Sequence, residues 1–276
     1  MAEALLKGLL RAGYACERIA VSEPNAGRRA ELERLYSVST TSENIKSAHF
    51  GQIIILAVKP AVIPDVCREI ASVASGRLIV SIAAGVKSAA ILDALGGDAR
   101  VVRVMPNTPA LVGDGMSALS SAGSASDADL ESAGAIFATV GKTVVVKEDL
   151  LDAVTGLSGS GPAYAFLMIE ALSDGGVLAG LSRADARLLA AQTLLGSARM
   201  AIETGLHPGA LKDMVTSPGG TTIHALRVLE NAGVRGALID AVAAAVARAK
   251  ELGAAPHPSP LLKERERTVI ESGRKK

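Results

Sequence analysis

The chain has 276 residues, enough for two compact domains, and 49% of them are hydrophobic against 21% charged, which excludes a disordered tail. With 29 basic and 28 acidic residues the formal net charge is +1, and no basic block is long enough to follow a phosphate backbone, which argues against a nucleic-acid partner. Aromatic residues make up 2% and Trp is absent, so the core has to be built from Ala, Val, Leu and Ile.

The first half alternates helix and strand signals. Residues 2–12 carry Leu5, Leu6, Leu9 and Leu10 at helical spacing, and Gly13 closes the run. Residues 18–22 read as a short strand that breaks at Pro24, and a charged helix follows over 26–35. Residues 52–58 are an almost unbroken apolar run, the mark of a strand covered on both faces. Residues 78–82 and 100–105 repeat that signal, and 143–146 looks like a last strand. Strands alternating with helices at this spacing predict an α/β fold with a doubly wound, Rossmann-type parallel sheet.

From about Asp149 the strand signal disappears. Helices are predicted over 162–180, from a Ser182 N-cap to Gly205, and over 208–215, 222–230 and 234–252. Gly205, Gly233 and Gly253 sit where such helices should stop. The chain thus divides into a dinucleotide-binding domain over 1–148 and an all-α domain over 149–276. The alternating charges of 263–267 predict a solvated helix face, and 273–276 a frayed end.

In an open parallel sheet, ligands bind outside the carboxyl ends of the strands. Three consecutive strand ends here carry small, polar or rigid residues: Lys59-Pro60, Ala83-Ala84-Gly85 and Pro106-Asn107-Thr108-Pro109. The end of the 18–22 strand carries Glu23, Asn25, Arg28 and Arg29. Glu23 suits the ribose hydroxyls of NAD, whereas Arg28 and Arg29 suit the 2′-phosphate of NADP, and both choices stay open.

Two glycine-rich segments lie in the helical half. Gly156-Leu157-Ser158-Gly159-Ser160-Gly161-Pro162 is neither a P-loop nor a nucleophile elbow, and close helix packing or an interface is its expected use. Thr216-Ser217-Pro218-Gly219-Gly220-Thr221-Thr222-Ile223 places two glycines and several hydroxyls before a helix. That is either a carboxylate or phosphate site or plain helix capping.

This second segment, within 211–226, closely resembles the signature of the pyrroline-5-carboxylate reductases, and so does 149–164. Ala57-Val58-Lys59-Pro60 and Met105-Pro106-Asn107-Thr108-Pro109 resemble the same family's cofactor-domain strand ends, in the same order. The resemblance implies reduction of L-1-pyrroline-5-carboxylate to L-proline, the last step of proline biosynthesis, by NADPH or NADH. It further implies a helical domain that forms a homodimer, and dimers that build a larger ring. By position it implies that Ser217 and the backbone at Gly219, Gly220 and Thr221 hold the substrate carboxylate, with Thr222 bonded to the ring nitrogen. Glu23, Asn44, Ala57, Val58, Lys59, Pro60, Ile82, Ala83, Ala84 and Asn107 would line the dinucleotide, with Glu148 and Thr155 near the nicotinamide.

The family opens with an apolar strand and a Gly-x-Gly-x-x-Ala turn, and this sequence enters that pattern at its end, with Ala2 in the last position. The expectation is that Met1 is an internal methionine preceded by about ten residues carrying a strand and Gly-x-Gly. Without that strand, its two neighbours either close up on each other or leave an open gap. A non-catalytic oligomeric remnant of the fold is one alternative. A related imine or 3-hydroxyacid reductase is another, although the latter needs a lysine acid that 149–165 does not contain.

Cys16 and Cys67 read as reduced, part-buried side chains, and His49, His207, His224 and His257 show no metal-ligand spacing. No signal peptide and no apolar run of about 18 residues is visible, so the cytoplasm is the expected compartment.

Overall fold

The computed structural model describes residues 1–97 and 99–254. The charged run 263–267, the end 273–276 and His257 lie outside the described residues. The chain forms two compact units, one from Met1–Gly159 with the end of the last helix from Val246, the other Ser160–Ala245.

In the first unit, α1 (Ala2–Arg11) turns Leu5, Leu6 and Leu9 into the core. β1 (Ala20–Ser22) connects through α2 (Ala26–Tyr36) to β2 (Ser39–Thr41), and the two strands pair in parallel. Asn25 caps α2 by accepting the Arg28 backbone N–H at 2.9 Å. Next come α3 (Asn44–Phe50), β3 (Ile53–Leu56), α4 (Ile63–Ala74), β4 (Leu78–Ser81), α5 (Ser88–Leu95) and β5 (Arg100–Pro106). The unit continues with β6 (Gly115–Gly123), α6 (Asp127–Ala138) and β7 (Gly141–Val145).

β3 to β7 form one sheet in chain order. All neighbours run parallel except β5 and β6, which are antiparallel. β4 lies at the centre of the burial: all four of its residues are shielded, as expected for a strand with helices on both faces. The sheet expected from the sequence is present over β3, β4, β5 and β7, with β6 inserted between β5 and β7, while the other strand without a sequence signal, β2, pairs with β1. β6 gives little signal because Gly115, Ser117, Ala118, Ser120 and Ser121 have weak strand preference, and its neighbours hold it in place. β1 and β2 form a sheet of their own, so among the described residues β1 and β3 do not pair.

α7 (Leu151–Val154) passes into a π-helical turn over Thr155–Gly159 and then into α8 (Gly161–Leu178). The remaining helices are α9 (Arg183–Thr204), α10 (Pro208–Met214), α11 (Thr221–Asn231) and α12 (Val234–Ala254). Ser182 caps α9 through the Asp185 N–H at 3.1 Å, and Gly205 closes that helix with φ 63°. Gly253, expected from the sequence to stop the last helix, lies inside it. Its reason is proximity: a Cβ there would sit 3.3 Å from the carbonyl oxygen of Gly85.

The second unit buries almost nothing apolar by itself. Ser173, Ala186 and Ala190 are its only buried side chains among the described residues. Phe166, Leu167, Leu188 and Ile239 are more than 60% exposed and Leu178 is 91% exposed. An apolar surface of this extent marks an interface. No helix among the described residues is long and apolar enough to cross a membrane.

Candidate functional site

Register sets the candidate site of the first unit. Leu56 pairs with Ser81, and Ser81 with Arg103, so the carboxyl ends of β3 and β4 are level beside β5. Ala57, Val58, Lys59 and Ala84 emerge there exposed, while Pro60 and Ile82 are half-buried. Ala83 is different, since its methyl group belongs to the core.

At the end of β1 the Ser22 hydroxyl donates to Asn44 Oδ1 at 2.8 Å, and Asn44 Nδ2 donates to Glu69 Oε2 at 2.8 Å. Asn44 therefore ties the strand end to α4. The Glu23 carboxylate accepts the Asn25 N–H at 2.9 Å. Arg28 is paired with Glu3 and Glu31, and Arg29 donates to the carbonyls of Glu23 and Pro24.

Asn107 and Glu148 have their side chains engaged within the unit. Asn107 Oδ1 accepts the Met116 N–H at 2.8 Å, and Nδ2 donates to the Ser158 carbonyl and hydroxyl, both at 3.2 Å. The grip fixes the π-helical turn against the end of β5. Gly159 is packed there too, because a Cβ on it would meet Met105 Cε at 2.7 Å. Close packing is thus the use of this glycine. Thr155 donates to the Leu151 carbonyl at 2.8 Å.

Glu148 accepts the Ser88 N–H at 2.7 Å, the Ser88 hydroxyl at 2.5 Å and Arg103 Nη1 at 2.8 Å. Burial opposes the charge on this carboxylate, but the Ser88 bonds and the Arg103 guanidinium outweigh it and hold its pKa below the ordinary value. Ser88, Arg103 and Ser158 were not anticipated from the sequence. A signal for one of them exists: an arginine inside the apolar run Val101-Val102-Arg103-Val104 needs a buried partner.

A pH dependence follows from two carboxylates. Glu3 is held at about 2 by the Tyr36 hydroxyl and Arg28, and Glu148 is also depressed. Depressed carboxyl values give stability that is complete above the unfolded pKa and is lost as pH falls through the folded one. Thermal midpoints should therefore drop as pH falls from the ordinary 4.5 toward 2, and Glu3→Gln should flatten that slope. Glu148→Gln leaves the nearly buried Arg103 without its counter-charge and should cost about 2 kcal/mol at neutral pH. Denaturant unfolding of both variants checks these outcomes.

The second unit has a candidate site of its own at the start of α11. Gly219 takes φ 66°, and the turn closes with the Gly220 N–H donating to the Ser217 carbonyl at 3.1 Å. The glycine at 220 is needed for room: a Cβ there would lie 2.3 Å from Ser217 Oγ. No side chain caps the helix. Plain capping, the alternative open in the sequence, is therefore not what these hydroxyls do. Ser217 and Thr221 stand exposed and Thr222 half-buried beside the uncapped N–H groups of the first turn. The Gly220 N–H is already engaged, so the free donors start at Thr221. Unpaired N–H groups and the positive dipole end are the features by which a helix start can hold an anion such as a carboxylate. His224 is satisfied locally, its Nδ1 lying 2.9 Å from the Gly220 carbonyl.

Residues 148–252 match the family model for pyrroline-5-carboxylate reductase dimerisation, and residues 1–85 match that for coenzyme F420-dependent NADP oxidoreductases. The pyrroline-5-carboxylate reductase of Synechocystis sp. is 50% identical over 254 residues, 92% of this chain and 95% of that protein. The chain belongs to the pyrroline-5-carboxylate reductase family. The Escherichia coli member is 42% identical, with 91% of this chain and 94% of that one aligned. Among solved structures, the Coxiella burnetii reductase superposes with a TM-score of 0.87 at 40% identity, covering 91% of this chain and 94% of that one. The Plasmodium falciparum reductase with NADP bound gives 0.81 at 33% identity, with the same coverage. Family, fold class and oxidoreductase chemistry are those expected from the sequence, and the helical half is this family's dimerisation domain.

Proposed function

We propose that this chain reduces L-1-pyrroline-5-carboxylate to L-proline with NADPH or NADH, in the cytoplasm, as a homodimer that builds a larger ring. One observation carries the reading. The uncapped start of α11, with Ser217, Thr221 and Thr222 around it, is an anion cradle in a chain half identical to a named reductase over nearly its whole length. The residues after β3 and β4 fit an extended dinucleotide, because Ala57 and Ala84 are small and exposed and leave the strand ends open.

The dinucleotide supplies the hydride. The substrate carboxylate sits against Ser217 and the first N–H groups of α11, which fixes the imine carbon for attack. Thr222 bonds the ring nitrogen. When hydride adds to the carbon of the protonated C=N bond, the π pair moves onto nitrogen and the hydroxyl donates to the lone pair that develops. The reaction needs position more than a strong acid or base, since a protonated imine accepts hydride readily. The test is an NAD(P)H-oxidation assay with pyrroline-5-carboxylate and detection of L-proline. Substrate-dependent oxidation with stoichiometric proline is expected; no oxidation with either dinucleotide would sink the reading.

A further inference from the structure

Glu23 stands at the end of the β1–β2 ladder and is fixed from both sides. Its N–H donates to the Thr41 carbonyl at 2.9 Å, and its own carbonyl accepts Arg29 Nη1 at 2.8 Å. The Asn25 N–H orients the carboxylate through Oε1, and Oε2 has no partner among the described residues. A carboxylate at this strand end is an acceptor for the two hydroxyls of an adenosine ribose. A 2′-phosphate in the same place meets it as a like charge.

A guanidinium could relieve that repulsion, but of the two neighbouring arginines Arg28 already carries carboxylate partners and Arg29 is held by loop carbonyls. Arg28 is paired with Glu3 at 2.6 Å and with Glu31 at 2.5 Å. Glu3 keeps its charge through the whole working range of pH because the Tyr36 hydroxyl and Arg28 hold its pKa at about 2. Arg29 uses Nη1 on the carbonyls of Glu23 and Pro24, at 2.8 and 2.9 Å. That geometry anchors the guanidinium to the loop backbone through one nitrogen.

Resting on the reading that this unit binds a reduced nicotinamide dinucleotide, we propose that Glu23 sets the choice between the two. It holds the ribose hydroxyls of NADH and holds back NADPH, so that NADH binds at least as tightly as NADPH. The enzyme accepts both, and the carboxylate alone limits the phosphorylated one.

The test is calorimetric titration of the full-length chain with NADH and with NADPH, for wild type and Glu23→Gln. The wild type should bind NADH with a Kd no higher than that for NADPH. Glu23→Gln should tighten NADPH about tenfold and weaken NADH. ADP and 2′,5′-ADP serve as a second pair, which reads the adenosine end alone and should show the same reversal. An unchanged NADPH-to-NADH ratio in a variant that unfolds at the wild-type midpoint overturns the proposal, as does a wild type that prefers NADPH tenfold. Failure of the wild type to bind either dinucleotide removes the parent reading instead, and this proposal with it.

Discussion

Thr222→Ala should lower kcat by roughly 30- to 1000-fold, the equivalent of about 2–4 kcal/mol for one oriented hydrogen bond lost from a reacting atom. The unfolding midpoint should barely move. Thr222 is half-buried in the first turn of α11, it is not the cap of that helix, and its hydroxyl has no partner in the chain among the described residues. Alanine is also the better helix former at such a position. The loss therefore falls on the transition state and not on the fold. KM should change less than kcat, because the carboxylate contacts proposed for Ser217 and the free N–H groups of α11 are left in place. Thr222→Ser keeps a hydroxyl and should restore most of the rate. Steady-state kinetics with pyrroline-5-carboxylate, read beside thermal unfolding of the same preparations, separates these effects. A Thr222→Ala enzyme with wild-type turnover would remove Thr222 from the reaction.

The parts of the fold that could be read from the sequence are those whose signal is local. β4 and β5 are legible because strands covered on both faces lose the alternation of polar and apolar residues and become continuous apolar runs, and β3 shows the same run although Ile53, Ile54 and Ile55 are only half-buried at the sheet edge. Ser182, Gly205 and Pro208 mark helix ends through their own backbone preferences, and α9 and α10 begin and end beside them. β6 is not legible, because a Ser- and Ala-rich strand is made by pairing on both sides rather than by its own composition. Gly253 misleads for a similar reason: a glycine in a helix is needed there by the Gly85 backbone, which is 168 residues earlier in the chain. The site divides in the same way. The glycines before α11 announce a helix start, but whether its N–H groups are capped depends on side-chain geometry that no pattern records. Glu148 reads by resemblance as a residue near the nicotinamide, whereas its carboxylate is filled by Ser88 and Arg103.

The wild-type chain should sediment as a dimer or larger assembly at micromolar concentration, and Leu188→Asp with Leu195→Asp should abolish both assembly and turnover. Leu188, Leu195 and Ile202 stand seven residues apart on α9 and are 69%, 51% and 59% exposed, which makes them one stripe along the helix. The unit they belong to has Ser173, Ala186 and Ala190 as its only buried side chains among the described residues. Five helices cannot be ordered by so small a core, since each ordered residue loses about 1–2 kcal/mol of backbone entropy. The missing burial has to come from another copy of the chain, and residues 148–252 match a dimerisation domain. Each leucine buried on assembly contributes roughly 1.5–3 kcal/mol, counted once per subunit in a symmetric interface. Replacing two of them with carboxylates in both subunits removes at least about 6 kcal/mol, or more than four orders of magnitude in the dissociation constant. Because the proposed substrate cradle at α11 belongs to the helical unit, loosening that unit should take the activity with it. Sedimentation equilibrium and far-ultraviolet circular dichroism should report loss of assembly together with reduced helix content. A wild-type monomer that turns over normally at micromolar concentration would show that the exposed stripe needs no partner.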